Sequence, residues 1–314
     1  MAEIFEIGGH EVAPGKRMRL YLDVARLPTG DWLSLPIVVL NGKKPGPTLW
    51  LDAAIHGDEL NGIEIIHQVL DLLDARRLAG QVLAVPIVNV FGFVQQHRYL
   101  PDRRDLNRSF PGTARGSLAS RLAHLFLTEI VDRSEYGIDF HTGSLHRTNM
   151  PQVRAELGDP ETRRVAEAFG APILYRAGKI RGSLRAAAVK RGKHILVYEA
   201  GEPMRFEHSA IEVGVRGTLR VLGALGMWEA PEEEVEPGFE PSRTSWVRAG
   251  RSGIFHIDVG LGDQVEKGTL LGVISDVASR KRMNVRARFD GMVIGLTHNP
   301  LVYQGDALIH LARA

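Results

Sequence analysis

Between residues 48 and 225, apolar runs typical of buried strands alternate with segments of helical periodicity. Apolar runs at 48–55 and 82–90 predict strands, and helical spacing follows the first run from Leu60 to Leu73. Further helices are predicted at 117–131, 159–169 and 182–191, with strands at 136–140 and 194–198. This alternation predicts an α/β fold with a mostly parallel or mixed sheet, in which ligands gather where strands end.

The pattern changes after an acidic, proline-containing stretch at residues 228–238. Helical periodicity then disappears, and glycines separate short β-type runs up to the C-terminus. For a chain of 314 residues we therefore predict an α/β domain at 1–230, a linker at 231–245 and a small all-β domain at 246–314. The last domain resembles the biotinyl/lipoyl type. Its nearest lysine, Lys281, lacks the methionines or acids that flank a modified hairpin lysine, so we expect the domain to cap a site or mediate assembly.

Composition excludes several classes of function. The chain has no cysteine and twelve histidines, so a transition metal would have to be bound by His, Asp or Glu. The 39 basic and 37 acidic residues give no reason to expect a nucleic-acid or membrane partner. No apolar stretch reaches 18 residues, and the N-terminus lacks the pattern of a signal peptide, which predicts a cytoplasmic protein.

A candidate metal site follows two of the predicted strands. His56 and Glu59 lie three residues apart where a strand gives way to a helix, and His141 ends a second strand. Two histidines and a glutamate are the ligand set of a catalytic zinc site whose fourth position is open to water. Taken singly, His56 and Glu59 could be a surface or capping pair, and His141 a buried core histidine. Alternation along the strand is expected to point Asp139 away from His141, in a structural or supporting role.

Two further segments carry polar residues near predicted strand ends. The loop at 96–112 is rich in Arg, Asn and Asp, and Asn107 with Arg108 could bind a carboxylate through an amide and a guanidinium fork. A solvated arginine-rich loop is the alternative. Glu199 ends an apolar strand, and beside a metal site it becomes the candidate general base; without one it would be an ordinary loop acid.

Taken together, these residues identify a resemblance. The chain resembles the succinylglutamate desuccinylase/aspartoacylase family, relatives of the zinc carboxypeptidases, on the bacterial branch near the N-acetyl-diaminobutyrate deacetylases. The matching motifs occur in the family's order and cover essentially the whole chain. They are His56-Gly-Asp-Glu59, Asn89 with Arg98, Asp105-Leu-Asn-Arg108-Ser-Phe-Pro-Gly112, Asp139-Phe-His141-Thr-Gly143 and Glu199-Ala-Gly201.

The resemblance implies a zinc-carboxypeptidase-like mixed sheet flanked by helices, and a zinc-dependent amidohydrolase that acts on a small N-acyl amino acid. One Zn²⁺ per chain would be held by His56, Glu59 and His141. The other roles it implies fall to Glu199 as general base, Arg98 at the oxyanion of the tetrahedral intermediate, Asn107 and Arg108 at the substrate carboxylate, and Asp105 in orienting that arginine.

The sequence constrains the identity of the substrate less than it constrains the type of reaction. Residues 141–151 and 181–185 are expected to shape the acyl and side-chain pockets, but the spacing from Arg98 to Asp105 is longer than in the aspartoacylases proper. A zinc metallocarboxypeptidase acting on short peptides is the main alternative function. A non-catalytic zinc- or carboxylate-binding protein is the second, and the metal used in the cell and the homo-oligomeric state stay open.

Overall fold

The structure, a computed structural model, describes residues 2–178, 180–229, 236–279 and 281–313. In this part of the chain the α-helices are α1 Asn61–Leu72, α2 Val90–Val94, α3 Leu118–Phe126, α4 Pro160–Phe169, α5 Leu184–Lys190 and α6 His208–Ala224; a 3-10 helix at Leu106–Arg108 and a π-helix at Leu127–Val131 are also present. The strands are β1 Phe5–Ile7, β2 His10–Val12, β3 Lys16–Arg26, β4 Trp32–Asn41, β5 Lys44–Ala53, β6 Ala79–Val85, β7 Tyr136–His141, β8 Arg147–Ala155, β9 Ile173–Arg176, β10 His194–Gly201, β11 Arg243–Arg248, β12 Gly253–Ile257, β13 Gln264–Val265, β14 Leu270–Ser275, β15 Arg282–Arg286, β16 Gly291–Thr297, β17 Leu301–Val302 and β18 Ala307–Arg313.

One mixed sheet of twelve strands organises the molecule. Its strand order is β11-β18-β16-β8-β10-β7-β5-β6-β4-β3, with β9 beside β8 and β13 beside β16. Strands β6, β5, β7 and β10 are parallel neighbours, so their carboxyl ends lie at one edge of the sheet. The predicted α/β class with a mixed sheet is confirmed, and the carboxyl ends of β5, β7 and β10 bring the predicted site residues together.

Helices cover both faces of the parallel strands. Along β5, Leu49 and Leu51 pack into one core with α1, α4 and α6, whereas Trp50 packs into a second core with α3 and α5. A strand buried on both faces reads as a continuous apolar run, which is the pattern at residues 48–55. Several predicted helices begin at side-chain caps, for example Ser117 and Asp159.

Some predicted elements differ from the structure. The predicted strand at 82–90 ends at Val85. Pro86 has no backbone N–H to continue a ladder, and Asn89 caps α2 by accepting a hydrogen bond from Gly92 N. Helix α6 and strands β8 and β9 form where no element was predicted.

The C-terminal strands continue the large sheet. From residue 243 to 313 the described chain forms strands and no helix. Strand β16 pairs with β8, so that Gly295 is the register partner of Asn149 and Thr297 that of Arg147. Of the predicted linker at 231–245, residues 231–235 lie outside the described residues. Strand β11 begins at Arg243, within the predicted linker. The division into domains stays a prediction. Among the helices of the described residues, none is long and apolar enough to cross a membrane.

Candidate metal and catalytic site

Three side chains converge where β5 and β7 end. Glu59 Oε1 lies 2.8 Å from His56 Nδ1, and Glu59 Oε2 lies 2.7 Å from His141 Nδ1. One ligand atom of each residue lies within 4.8 Å of the others, and all three side chains are buried. The structure therefore brings together the three residues that the sequence predicts as metal ligands.

The backbone around the turn from β5 to α1 fixes this geometry. Residues 54–60 connect the strand to the helix, and a Cβ on Gly57 would lie 1.9 Å from the backbone carbon of Gly92. Only glycine fits this close approach, which explains why Gly57 follows His56 and precedes Asp58 and Glu59. The backbone N–H of Thr142 donates to Glu59 Oε2 at 3.1 Å and fixes the carboxylate from the β7 side.

Each histidine also faces a second carboxylate through its other ring nitrogen. His56 Nε2 lies 3.3 Å from Asp105 Oδ1, and His141 Nε2 lies 2.9 Å from Asp139 Oδ1. The prediction that Asp139 points away from His141 is wrong, because residues i and i+2 of a strand lie on the same face. A histidine with one nitrogen toward a metal position and the other toward a carboxylate is the usual arrangement around a protein-bound metal.

Charge in this cluster is strongly coupled. Burial disfavours ionisation of Glu59, but the imidazoles of His56 and His141 outweigh it and hold the pKa of the carboxyl well below its usual value. Burial likewise opposes the charged form of His141, yet Asp139 and Glu59 raise its pKa well above the ordinary value. Burial also opposes the charged form of His56, but Glu59 and Asp105 outweigh this effect and raise the pKa of His56. The carboxylates around the two imidazoles thus favour positive charge at this point of the structure.

The donor set fits a zinc ion. Two imidazole nitrogens and one carboxylate are zinc ligands in catalytic sites. Because Nδ1 of His56 and Nδ1 of His141 both face the Glu59 carboxylate, the three groups are already turned toward one another. The residues present are therefore consistent with a single divalent metal.

Arg98 reaches the same cluster from the loop after α2. Its Nη1 lies 3.1 Å from Glu59 Oε1 and its Nη2 lies 3.2 Å from Asp105 Oδ2. Asn89, which is fully buried, donates from Nδ2 to the Arg98 carbonyl at 3.2 Å and anchors the loop. Asp105 thus contacts Arg98 and His56, and its expected orienting contact with Arg108 is not among the hydrogen bonds or ion pairs of the described residues.

Asn107 and Arg108 follow Asp105 in the sequence and line the cavity into which the metal ligands face. Asn107 Oδ1 accepts a hydrogen bond from Leu184 N at 2.9 Å, so the side chain also fixes the start of α5. Arg108 Nη1 donates to the Asn107 carbonyl at 2.6 Å, and the side chain is otherwise exposed. Both side chains face the space where a ligand would lie.

Glu199 occupies the end of β10, beside the proposed metal ligands. It is the register partner of His141 on the neighbouring parallel strand. Its Oε1 lies 2.7 Å from Arg154 Nη1, and its Oε2 accepts a hydrogen bond from Asn149 Nδ2 at 2.8 Å. Both oxygens are therefore held by side chains of β8.

The three proposed metal ligands line one cavity of about 280 Å³, a size suited to a small molecule, together with Arg98, Asn107, Arg108, Asp139 and Glu199. Of its charged and aromatic residues, the sequence did not predict Arg154 and Trp246, whereas Arg147, Asn149 and Arg185 fall in segments expected to shape the pocket. Arg154 could have been found only by placing β8 next to β10. Trp246 comes from β11, more than ninety residues after Arg154, and no local pattern indicates it.

Comparisons with known proteins identify the family of the chain. A family model described as the succinylglutamate desuccinylase/aspartoacylase catalytic domain matches residues 45–225. The chain is 28% identical over 292 residues to the N-alpha-acetyl-L-2,4-diaminobutyric acid deacetylase of Halomonas elongata, which covers 88% of this chain and 85% of that protein. The region matched by the family model contains His56, Glu59, His141 and Glu199.

Solved structures extend the likeness to the whole chain. A succinylglutamate desuccinylase/aspartoacylase from Rhodobacter sphaeroides superimposes with a TM-score of 0.84 and 27% identity, covering 95% of each chain. The product-bound structure of the ectoine utilization protein EutE (DoeB) from Ruegeria pomeroyi superimposes with a TM-score of 0.87 and 24% identity, covering 96% of this chain and 98% of that one. At this lower sequence identity, the comparison with the Ruegeria pomeroyi protein shows a shared fold.

Proposed function

Because the chain belongs to the succinylglutamate desuccinylase/aspartoacylase family of amide deacylases, we propose that it is a zinc-dependent hydrolase of a small N-acyl amino acid. The observation that carries the proposal is the buried cluster of His56, Glu59 and His141 with Glu199 on the adjacent strand. In this proposal the three clustered side chains hold one zinc ion. When bound there, zinc polarises the acyl carbonyl and lowers the pKa of a coordinated water.

Glu199 is the proposed general base. Its carboxylate lines the cavity close to His141, and Arg154 and Asn149 hold its two oxygens so that it does not have to be ordered during the reaction. In the first step it takes a proton from the attacking water, and in the second it delivers that proton to the amine nitrogen that leaves. The products are a carboxylate and a free amine.

Arg98 is proposed to stabilise the negative charge that develops on the acyl oxygen. Its guanidinium reaches Glu59 and Asp105 at the metal cluster, so it lies within reach of the reacting carbonyl. The hydrogen bond from Asn89 to the Arg98 backbone fixes the loop before substrate arrives. A donor aimed in advance at developing charge is the arrangement that stabilises a transition state.

Asn107 and Arg108 are proposed to bind the substrate carboxylate. Asn107 uses its amide oxygen to hold Leu184 N, which leaves its Nδ2 group to donate to a ligand. Arg108 supplies the matching charge at the rim of the cavity. Asp105, which was expected to orient Arg108, instead supports His56 and Arg98 in this proposal.

A substrate panel tests the function. Zinc-loaded protein is incubated with N-acetyl and N-succinyl derivatives of aspartate, glutamate and 2,4-diaminobutyrate, the last because the Halomonas elongata relative is named for it. Short peptides with free C-termini form the second arm, and amine release is the measurement for both. We expect release from at least one acyl amino acid. Cleavage of peptides alone would favour the metallocarboxypeptidase, and zinc binding without any hydrolysis would favour a non-catalytic protein.

A further inference from the structure

The C-terminal strands contribute one side chain to the catalytic cavity. Among the described residues after 229, Trp246 alone lines it. The Trp246 ring stacks on His310, its register partner on β18, with a centroid separation of 4.6 Å and an interplanar angle of 5°. His310 is only 5% exposed, so the indole rests on a packed support rather than on a mobile loop.

The Arg147 side chain, from strand β8, lies against the indole of Trp246, which comes from β11. Its guanidinium carbon is 5.4 Å from the centroid of the Trp246 ring, within the range of a cation–π contact. Arg147 begins β8, whose pairing with β16 fixes its backbone beside Thr297. The side chain lines the catalytic cavity and is half-buried, and this burial lowers its pKa.

The bonding of Arg147 differs from that of the other arginines in the cavity. Arg98 and Arg154 form ion pairs with carboxylates, and Arg185 donates to two backbone carbonyls. Arg147 is absent from the ion pairs of the described residues, and its Nε is buried without a hydrogen-bond acceptor. A guanidinium N–H that is buried without an acceptor is costly, and a ligand carboxylate in the cavity would remove that cost.

We propose that Arg147, held in place by Trp246, binds a carboxylate of the substrate, so that the C-terminal strands take part in substrate selection. This inference rests on the proposed function, because it assigns part of the same cavity. It predicts that the enzyme distinguishes an acyl amino acid from its carboxamide at the position that Arg147 contacts. The replacement of a carboxylate by an amide removes the charge and leaves the shape nearly unchanged.

The test compares N-acetyl-L-glutamate with its two monoamides, the α-amide and the side-chain amide. Binding is measured by calorimetry on zinc-loaded full-length protein that carries Glu199→Gln, so that no turnover occurs. We expect at least one monoamide, the one that lacks the carboxylate contacted by Arg147, to bind about tenfold or more weakly than the diacid. In Arg147→Met this difference should disappear and the affinity for the diacid should fall by about the same factor, while Arg147→Lys should keep part of the affinity, because it retains the charge without the planar fork. Trp246→Leu should weaken diacid binding less than Arg147→Met does.

Arg26 and Trp32 provide a matched control, because their side chains form a similar pair at 5.1 Å outside the cavity. Arg26→Met and Trp32→Leu should leave all three affinities unchanged, and circular dichroism verifies folding, with Arg147→Gln in reserve if Arg147→Met is unstable. Equal binding of the diacid and both monoamides, or retained discrimination in Arg147→Met, would overturn the proposal. Since binding is read without catalysis, a failure of the proposed function would show separately, as absence of amine release in the substrate panel.

Discussion

Arg154 Nη1 lies 2.7 Å from Glu199 Oε1, so the proposed general base is paired with a guanidinium before any substrate arrives. Asn149 holds the other carboxylate oxygen from the same strand. Strand β8 in turn lies between β10, which carries Glu199, and β16 from the C-terminal part of the sheet. The orientation of the base therefore depends on residues remote from it in sequence.

The first prediction concerns the base itself. Glu199→Gln keeps the shape of the side chain but cannot take a proton, so kcat should fall by about 10²-fold or more. Zinc content should stay near one per chain because Glu199 is not among the clustered ligands. Amine release and atomic absorption measure the two quantities. Glu212→Gln, an exposed change on α6, is the control, and unimpaired hydrolysis by Glu199→Gln would reject the assignment.

The second prediction concerns Arg154 as a positioning residue. Arg154→Met removes the partner of Glu199 Oε1, and we expect kcat to fall by about tenfold with little change in zinc content. Arg154→Lys should recover part of the loss because it restores a charge without the planar fork. Steady-state kinetics with the best acyl amino acid provide kcat and KM separately. Arg163→Met, which also removes a guanidinium paired with carboxylates but lies outside the cavity, is the matched control; an effect on KM alone would contradict a role through Glu199.

The third prediction concerns the metal ligands. A chelator should abolish amine release, and added zinc should restore it. His56→Ala and His141→Ala should each reduce bound zinc well below one per chain, because each removes one of three donors. His67→Ala, an exposed histidine on α1, should bind zinc like the unchanged protein. Full activity after chelation, or stoichiometric zinc in His56→Ala, would disprove the site.

The fourth prediction separates two buried aspartates. Asp139 faces His141 Nε2, so Asp139→Asn should weaken zinc binding by about 10- to 100-fold. Asp52 lies beside it in the sheet register, and burial together with Asp139 raises the pKa of Asp52 well above its usual value. A raised pKa means that this carboxyl keeps its charge less readily than a free one, so Asp52→Asn should change the zinc affinity less than about threefold. Competition with a metal indicator measures both affinities, and equal losses would refute the distinction.

The sequence alone predicts the parts of the site that depend on residues close together along the chain or at the ends of apolar runs. His56 and Glu59 are three residues apart at a strand end, and His141 follows a second apolar run, so spacing and the geometry of parallel sheets predict their meeting. The contact of Asp139 with His141 was also within reach, since it follows from the period of two along a strand.

Other contacts depend on which strands become neighbours. Arg154 reaches Glu199 only because β8 inserts antiparallel beside β10, and no pattern within 147–155 indicates that neighbour. Trp246 reaches the cavity because β16 joins the C-terminal strands to β8. Strand order over such separations is set by packing of the whole sheet, which a single sequence does not display.

The last prediction concerns His310, which supports Trp246. Burial, with a contribution from Arg154, lowers the pKa of His310 to about 3, whereas an unfolded histidine titrates near 6.5. Between these values the unfolded chain binds one proton more than the folded chain, so stability from this residue is lost as pH falls below about 6.5. His310→Phe keeps a stacking ring and removes the titration. In urea unfolding with chelator present, the free energy of unfolding of the unchanged protein should fall by about 1.4 kcal/mol per pH unit more than that of the variant between pH 6 and 4. His10→Phe, at an exposed position, should not alter the slope, and parallel profiles for the unchanged protein and His310→Phe would show that His310 is protonated in the folded state.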